Sequence, residues 1–325
     1  MIHNTITLSE ERNAYFTTYL IENSQEFQNG IARPLIVICP GGGYSYLSER
    51  EAEPIARAYL AAGYQAIVLH YGIDQHAVMP GPLHDIAQTV AYAREHSKEW
   101  QINPDQIFVC GFSAGAHVAA SLGVFWKNQE LLPDYADQPE LIRPNGMILC
   151  YPVLDLHSSS THLDIGCKPG DDINKIELSQ KHPKMPLNKI FIMDEKEQRY
   201  FANFEHAMNA YIFGGEYTEE QEDYYSLQNQ VSSDTPPAFI WHTAEDGLIL
   251  PANSLKFAGK LDEFHIPYEL HIFGNGGHGT ALSTLVTAND RYQWNPASMG
   301  WMELAIAWID RQTKFSEHIQ SLFVQ

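Results

Sequence analysis

A serine between two glycines lies where a predicted strand meets a predicted helix. The run Cys110–Gly115 reads CGFSAG; it follows the apolar segment Gln106–Cys110 and opens the helix-forming segment Ala114–Trp126. In a sharp strand-to-helix turn, glycines two positions before and after the serine leave room for the neighbouring chain. The pattern predicts that Ser113 projects from the carboxyl edge of a sheet as a nucleophile. The alternative is a tight turn with a solvated hydroxyl, which the next two motifs disfavour.

A carboxylate and a histidine follow this serine in the chain order that serine chemistry requires. A serine hydroxyl needs a base to take its proton and a carboxylate to orient that base. Asp246 lies in the loop after the predicted strand Ala238–His242, and His278 lies in a glycine-rich loop after the predicted strand Tyr268–Phe273. Glu245 competes with Asp246, but the glycine and apolar residues after Asp246 suit a turn into the next helix. We therefore predict Asp246 as the acid and His278 as the base.

The remaining histidines and the cysteines show no metal-binding pattern. We expect a packed or helix-capping role for His117 on the helix after the serine, and no catalytic role for His242 and His271, which lie within strands. The sequence has no HExxH or related spacing. The four cysteines form no CxxC pair and mostly lie in apolar runs, which suits buried, reduced thiols: Cys39, Cys110, Cys150 and Cys167. We predict neither a metal ion nor a cofactor.

A glycine run directly after another apolar strand supplies the third motif. The run Pro40–Tyr44 reads PGGGY. Backbone N–H groups aimed at the negative oxygen of a tetrahedral intermediate lower a barrier by about 3 to 4 kcal/mol, and glycines let the backbone come close enough. We predict an oxyanion hole formed by the N–H groups of Gly42, Gly43 and Ala114. The run lacks the GxGxxG and GK[ST] patterns, which disfavours a phosphate-binding loop.

These motifs need a sheet that brings the ends of their strands to one edge. Apolar runs alternate with helix-like stretches, which predicts an α/β fold with a mostly parallel central sheet and helices on both faces. The predicted strands are Thr5–Leu8 and Ala14–Ile21, antiparallel at one edge, then Pro34–Cys39, Gln65–Tyr71, Gln106–Cys110, Gly146–Tyr151, Ala238–His242 and Tyr268–Phe273. The predicted helices are Glu49–Ala62, Leu83–Trp100, Ala114–Trp126, Ser254–Phe264 and Ala297–Asp310.

The alternation stops between His157 and Ser232, where Gly, Pro, His and charged residues cluster. A structureless loop of this length is unusual in a compact domain. We predict a core of residues 1–156 and 233–325 and an inserted cap of residues 157–232, with a helix over Gln198–Tyr211. The alternative is a peripheral insertion that does not touch substrate. For the aromatic side chains of this region, packing is preferred over pocket lining: Phe201, Phe204 and Tyr211.

Composition restricts the partners and the location. The 325 residues include 40 acidic and 20 basic side chains, a formal net charge of −20. Such a charge repels nucleic acids and anionic membranes, so we expect neither as a partner. The segment Met1–Glu11 lacks the basic and apolar parts of a signal peptide, and no run of about 18 apolar residues is present. We expect a cytoplasmic protein that acts on a small molecule; the sequence does not determine its oligomeric state.

Together, the motifs resemble those of serine carboxylesterases with the α/β-hydrolase fold. The resemblance covers roughly Ala32–Ile309 outside the insertion. It is closest to bacterial feruloyl and acetyl-xylan esterases, which are related to hormone-sensitive-lipase-like esterases, and it rests on Gly111–His117, Thr235–Thr243 and Glu269–Phe273. Pro40 stands where the lipase-like group has histidine, which favours the carbohydrate-esterase branch. The insertion is longer than is usual in this family.

The resemblance implies a function for each motif. Ser113 would be the nucleophile, His278 the base, Asp246 the orienting acid, and Gly42, Gly43 and Ala114 the oxyanion hole. The implied activity is hydrolysis of short-chain acyl esters, in particular acetyl esters of carbohydrates, without a cofactor. An amidase, a formamidase or a peptidase of the same fold is the alternative enzyme, and activity on anilides or formamides would identify it. A binding protein on this scaffold is disfavoured, because no member of the triad is missing.

Overall fold

An eight-stranded sheet forms the centre of the molecule in a computed structural model that describes residues 1–24, 26, 30–157, 163–171, 191–196, 198–202, 204–289, 291 and 293–322. The described strands, in chain order, are β1 (Thr5–Ser9), β2 (Ala14–Tyr19), β3 (Arg33–Cys39), β4 (Gln65–His70), β5 (Ile102–Phe112), β6 (Gly146–Cys150), β7 (Leu163–Cys167), β8 (Phe191–Asp194), β9 (Arg199–Ala202), β10 (Ala238–Thr243) and β11 (Tyr268–Phe273). The order across the large sheet is β1-β2-β4-β3-β5-β6-β10-β11.

The two edge pairings β1–β2 and β2–β4 are antiparallel, and all other neighbours in the large sheet are parallel. Parallel strands place all of their carboxyl ends at one edge, and the segments that follow β3, β5, β10 and β11 carry the predicted motifs. The predicted mostly parallel sheet, with its antiparallel edge, is confirmed.

Helices cover both faces of the sheet. In chain order the described helices are α1 (Glu53–Ala61), α2 (Gly81–Glu95), α3 (Ser97–Trp100), α4 (Ala114–Phe125), α5 (Phe204–Phe213), α6 (Glu219–Tyr225), α7 (Ala252–Glu263), α8 (Trp301–Thr313) and α9 (Phe315–Leu322). One core holds side chains of α2, α4 and α7, and the other holds side chains of α1, α8 and α9. The sheet is therefore the middle layer of three.

The central strand β3 shows why this arrangement is stable. All seven of its residues are buried. Because successive side chains of a strand point to opposite faces, Leu35 and Val37 enter one core while Ile36 and Ile38 enter the other. A strand covered on both sides reads as a continuous apolar run.

The region between β6 and β10 contains more regular structure than the sequence predicts. Strands β7, β9 and β8 form a separate antiparallel sheet of three. The predicted helix over Gln198–Tyr211 is wrong in its first part, where Arg199–Ala202 is a strand, and the helix spans Phe204–Phe213 instead. The mixed aromatic and charged residues of this stretch are compatible with either a strand or a helix. Pairing with β7 and β8 determines that Arg199–Ala202 forms a strand. Residues 158–162, 172–190, 197 and 203 lie outside the described part of this region.

Backbone hydrogen bonds connect the end of this region to segments that flank the large sheet. The N–H of Met79 donates to the carbonyl of Ile212 at 2.9 Å, and the N–H of Leu227 donates to the carbonyl of Leu154 at 2.7 Å. Helix α5 therefore has a fixed position beside the carboxyl edge of the large sheet.

Candidate active site

Ser113 occupies the turn between β5 and α4 in a backbone conformation that few side chains adopt. Its φ is 52° and its ψ is −120°, and its N–H donates to the carbonyl of Cys150 at 3.0 Å. A Cβ on Gly111 would lie 2.3 Å from the carbonyl oxygen of Gly115, and one on Gly115 would lie 2.1 Å from that of Cys39. Only glycine fits at these two positions, and the turn presents the Ser113 hydroxyl to the carboxyl edge of the sheet.

The three predicted catalytic side chains meet at this edge. Nε2 of His278 lies 2.8 Å from Oγ of Ser113, and Nδ1 of His278 lies 2.7 Å from Oδ2 of Asp246. An ionised carboxylate only accepts hydrogen bonds, so Nδ1 carries a proton and Nε2 is free to accept the serine proton. Glu245, the competing acid, is exposed and accepts instead from the N–H of Gly276 at 3.2 Å.

Asp246 is held as a carboxylate by four donors. It is buried, and its Oδ1 accepts from the N–H groups of Leu248 at 3.0 Å and Ile249 at 2.9 Å. Its Oδ2 accepts from the imidazoles of His278 and His242. Burial opposes its ionisation, but the two imidazoles outweigh burial and hold the pKa of the Asp246 carboxyl well below its usual range.

The carboxylate of Asp246 in turn raises the pKa of His278. Burial lowers the pKa of this imidazole, but the charge of Asp246 and the hydrogen bond to it outweigh burial, so the pKa lies above its usual value. Two other charged groups act on it: Glu51 raises the pKa of His278 and Arg50 lowers it. A base with a raised pKa takes the serine proton more readily.

His242 contributes to the site in a way that the sequence did not predict. It is fully buried on β10, and its Nε2 lies 3.1 Å from Oδ2 of Asp246 and 2.9 Å from the carbonyl oxygen of Ile249. Both partners are acceptors, so Nε2 carries the proton and Nδ1 accepts from the hydroxyl of Ser254 at 2.9 Å. The available signal was a polar residue inside an apolar strand, four positions before the acid.

His117 is packed inside the molecule, one of its two expected roles, and His271 lies on a strand, as expected. His117 is buried on α4, where Nδ1 lies 2.7 Å from the hydroxyl of Tyr44 and Nε2 lies 2.9 Å from the carbonyl oxygen of Tyr225. Burial lowers its pKa to about 4, so the ring is neutral near pH 7. His271 lies 2.8 Å from Glu269 on β11.

Two of the three predicted oxyanion-hole residues line the cavity that contains Ser113, and the third follows Ser113 in the chain. Gly42 and Gly43 line the same cavity as Ser113, with φ values of 134° and 61°. A Cβ on Gly42 would lie 2.0 Å from the carbonyl oxygen of Tyr46, so this position requires glycine. Ala114 begins α4, and its N–H therefore has no partner within the helix. The Gly41 N–H is already taken, since it donates to Oε2 of Glu51 at 2.8 Å.

A cavity of about 240 Å³ opens above Ser113 and His278. One wall, from the loop after β3, is polar, and the other wall, from α5 and the loop after β10, is mostly apolar. The polar wall consists of Gly42, Gly43, Ser45, Tyr46, Ser48, Arg50 and Glu51. The apolar wall contains Phe204, Ala207, Met208, Tyr211, Leu248 and Ile249, together with one charged residue, Glu205. Phe204 and Tyr211 thus line the cavity, against the expectation of packing alone, and the side chain of Phe201 lies outside the described residues.

Two kinds of feature are absent from the described ranges. Within them, no group of three His, Cys, Asp or Glu side chains is arranged to hold a metal ion. No helix among them is long and apolar enough to cross a membrane.

Comparison with known proteins identifies a matching family and several related proteins. A family model described as BD-FAE matches residues 23–261. The chain is 30% identical over 270 residues to endo-1,4-beta-xylanase B of Butyrivibrio fibrisolvens, which covers 81% of this chain and 34% of that protein. It is 27% identical over 291 residues to an acetylxylan esterase of Xylanibacter ruminicola, which covers 88% of this chain and 48% of that protein. The chain therefore spans between about a third and half of the length of these relatives.

A solved structure shares the fold over almost the whole chain. The carboxylesterase Cest-2923 from Lactobacillus plantarum superposes with a TM-score of 0.75 at 26% identity, and the match covers 96% of this chain and 98% of that one. The predicted α/β-hydrolase fold is thereby confirmed.

Proposed function

The chain belongs to the BD-FAE family of α/β hydrolases, and from this premise we propose that it is a serine carboxylesterase that cleaves short-chain acyl esters. The observation that carries the proposal is the hydrogen-bonded series Ser113–His278–Asp246, with distances of 2.8 and 2.7 Å. This geometry lets one imidazole accept a proton from the serine while the carboxylate stabilises the resulting positive charge.

In the proposed reaction, Nε2 of His278 takes the proton of Ser113 while Oγ attacks the acyl carbon. The N–H groups of Gly42, Gly43 and Ala114 stabilise the negative oxygen of the tetrahedral intermediate. The bond to the alcohol then breaks, and His278 returns its proton to the departing alcohol oxygen. A water molecule, deprotonated by the same imidazole, attacks the acyl carbon of the acyl-enzyme. The bond to Oγ then breaks, His278 returns the proton to Oγ of Ser113, and the carboxylic acid leaves.

The walls of the cavity support a division of the substrate between them. We propose that the apolar wall receives the acyl chain and that the polar wall receives the alcohol. A cavity of about 240 Å³ is below the roughly 300–1,000 Å³ of pockets for drug-sized ligands, which favours a short acyl group such as acetyl. The acetylxylan esterase among the relatives supports a carbohydrate as the alcohol. Amide hydrolysis, the alternative enzyme activity, is not favoured by these relatives.

Three further features belong to this proposal. Residues 157–232 would form the cap of a core made of residues 1–156 and 233–325, which is supported by the contribution of α5 to the cavity. A cytoplasmic location is supported by the thiols of Cys39, Cys110 and Cys150, which are free and buried. The net charge of −20 supports a small-molecule ester, and neither nucleic acid nor membrane, as the partner.

Hydrolysis of 4-nitrophenyl acetate, butyrate and octanoate by the wild-type protein and by Ser113→Ala tests the activity. We expect wild-type turnover that is highest on the short esters and is lost in Ser113→Ala. Release of acetate from acetylated xylo-oligosaccharides tests whether the alcohol is a carbohydrate. 4-Nitroacetanilide, the amide counterpart of 4-nitrophenyl acetate, is the control for amide hydrolysis. Wild-type protein that hydrolyses no ester and does not react with a fluorophosphonate probe at Ser113 would refute the proposal.

A further inference from the structure

Glu51 is a buried carboxylate beside the reacting groups, and the proposed reaction assigns it no step. It closes the short 3₁₀ turn Glu49–Glu51 after the glycine loop, lines the cavity and is 3% exposed. Within the described ranges, no Lys, Arg or His side chain lies within 4.0 Å of its oxygens. Burying a charge without a counter-ion costs free energy, so such a group is retained only where its hydrogen bonds or its charge are used.

The first use of Glu51 is to hold the glycine loop. Its Oε2 accepts from the N–H of Gly41 at 2.8 Å. A Cβ on Gly41 would lie 2.7 Å from this oxygen and 2.9 Å from Cβ of Ser113, so the carboxylate, the loop and the nucleophile are in direct contact. Gly41 is thereby fixed directly before Gly42 and Gly43, the two glycines that line the cavity.

The second use of Glu51 is to hold, through Tyr151, the loop that carries His278. The hydroxyl of Tyr151 donates to Oε1 of Glu51 at 2.6 Å and accepts from the N–H of Ala281 at 3.0 Å. The ring of Tyr151 packs edge-on against the imidazole of His278, with 5.0 Å between ring centres. Tyr151 adopts a φ of 37°, which for a tyrosine is maintained only when the surroundings determine it.

We propose that Glu51 is a positioning residue of the esterase site, whose carboxylate ties the glycine loop to Tyr151 and, through the ring of Tyr151, to His278. The inference rests on the proposed acyl transfer, in which His278 carries a positive charge in each transition state. A fixed negative charge near that imidazolium acts without reorganisation during the reaction.

The sign of the effect follows from the charges that face His278. These are the carboxylates of Asp246 and Glu51, which raise its pKa, and the guanidinium of Arg50, which lowers it; Tyr151 contributes a neutral ring. Removing the charge of Glu51 should therefore lower the pKa of His278. Removing the charge of Arg50 should raise it.

Three variants separate the charge of Glu51 from its hydrogen bonds. Glu51→Gln removes the charge at nearly constant shape, Tyr151→Phe removes one hydrogen bond and keeps the charge, and Arg50→Gln removes the opposite charge. The readouts are the pH profile of kcat/KM on 4-nitrophenyl acetate and an NMR titration of the His278 imidazole. Melting temperatures and near-UV circular dichroism check that each variant is folded.

For Glu51→Gln we expect kcat to fall by roughly tenfold or more with KM changed by less than about threefold, because the lost interaction acts in the transition state. The acid limb of the profile and the NMR titration should both move to lower pH. Tyr151→Phe should lower kcat without moving the acid limb to lower pH, and Arg50→Gln should move it to higher pH. Where Glu51→Gln does not fold, Glu51→Asp keeps the charge and should retain the acid limb while kcat falls.

An unchanged kcat and an unchanged His278 titration in Glu51→Gln would overturn the inference. The proposed function is judged separately, by wild-type turnover against Ser113→Ala. Because the NMR titration needs no turnover, the effect of Glu51 on His278 is measured even where the esterase proposal fails.

Discussion

The carboxylate of Asp246 carries a negative charge throughout the working pH range, because four donors satisfy its two oxygens. The activity therefore follows the titration of His278, which must be neutral to act as base. Since the pKa of His278 lies above its usual value, we expect kcat/KM to be full at alkaline pH and to fall as the pH drops through that raised pKa. In Asp246→Asn the raising charge is gone, so the acid limb should move to lower pH.

The same variant should lower kcat by roughly 10³- to 10⁴-fold, because an amide at this position can hold the imidazole in the wrong tautomer. The measurement is a pH–rate profile on 4-nitrophenyl acetate, with Glu245→Gln as the control. Glu245 is exposed, and its one hydrogen bond among the described residues is with the Gly276 N–H, so its variant should keep the wild-type profile. Equal losses in the two variants would contradict the assignment of Asp246 as the acid.

His242 should matter for both activity and stability. Replacing it with Phe removes one of the two imidazole donors to Oδ2 of Asp246 and takes this buried partner from the hydroxyl of Ser254 and the carbonyl oxygen of Ile249. We expect a loss of about 1–3 kcal/mol in the free energy of unfolding, measured by urea titration, and a fall in kcat larger than any rise in KM.

A glutamine at position 242 is the matched comparison for this loss. Its amide N–H can still donate toward Asp246, so His242→Gln should recover part of both kcat and stability. If His242→Phe and His242→Gln behave alike, the hydrogen bond to Asp246 has no role of its own.

The sequence predicted Ser113, Asp246 and His278, whose side chains lie together in the structure, because each follows a recognisable strand in a fixed chain order. The sequence did not predict a role for Glu51 or His242. The partner of Glu51, Tyr151, is 100 residues away in the chain, and no local pattern shows that their side chains meet. His242 was placed correctly on a strand, but its bond to Asp246 depends on how the following loop folds back.

At the level of elements, helix α4 can approach β3 only because Gly115 has no side chain. A Cβ there would lie 2.1 Å and 2.4 Å from the carbonyl oxygens of Cys39 and Pro40, which are backbone atoms and cannot move independently. We expect Gly115→Ala to destabilise the protein by about 1–3 kcal/mol or more and to displace the serine turn, with a matching loss of esterase activity.

Gly259 provides the control within another helix. It lies in α7, and a Cβ there would contact nothing within 4 Å. Gly259→Ala should leave activity unchanged and raise the free energy of unfolding by up to about 1 kcal/mol, because alanine favours the helix. Urea titration followed by circular dichroism measures both variants. Equal stability changes at the two positions would show that the close approach of α4 is not required.

The elements themselves were predictable where apolar runs are unbroken. Strand β11 matches its predicted bounds, whereas β5 begins at Ile102, four residues before its prediction at Gln106. The added residues include exposed Pro104 and Asp105, so no apolar pattern marks them. Ile102 pairs with Arg33 of β3, and the register shifts before the next pair, Leu35 with Ile107. The last predicted helix began at Ala297, but α8 begins at Trp301, after a stretch of turns.

The cavity is a property of the whole molecule, because its polar wall comes from the loop after β3 and part of its apolar wall comes from α5, more than 150 residues later in the chain. Met208 on α5 is 6% exposed and lies on that apolar wall. We expect Met208→Ala to enlarge the acyl side and to raise kcat/KM for 4-nitrophenyl butyrate relative to acetate by several-fold. A melting curve shows whether the smaller side chain also costs stability, which is typical of buried methionines.

Leu285→Ala is the control for that change of acyl preference, since Leu285 is 71% exposed and does not line the cavity. An unchanged butyrate-to-acetate ratio in a folded Met208→Ala protein would indicate that the acyl group lies elsewhere.

The net charge of −20 acts on every substrate before it reaches the cavity. A negative surface repels an anionic ester over distances comparable to the Debye length, about 30 Å at 0.01 M salt and about 8 Å at 0.15 M. We expect kcat/KM for the anionic mono-4-nitrophenyl succinate to rise several-fold between these salt concentrations, while that for neutral 4-nitrophenyl acetate stays constant. The positive charge of Arg50 acts in the opposite direction. Arg50 lines the cavity and would attract the same anion at close range, where salt screens the attraction less. A succinate ester that is hydrolysed best at low salt would show that Arg50 dominates the surface charge; Arg50→Gln should then remove that preference.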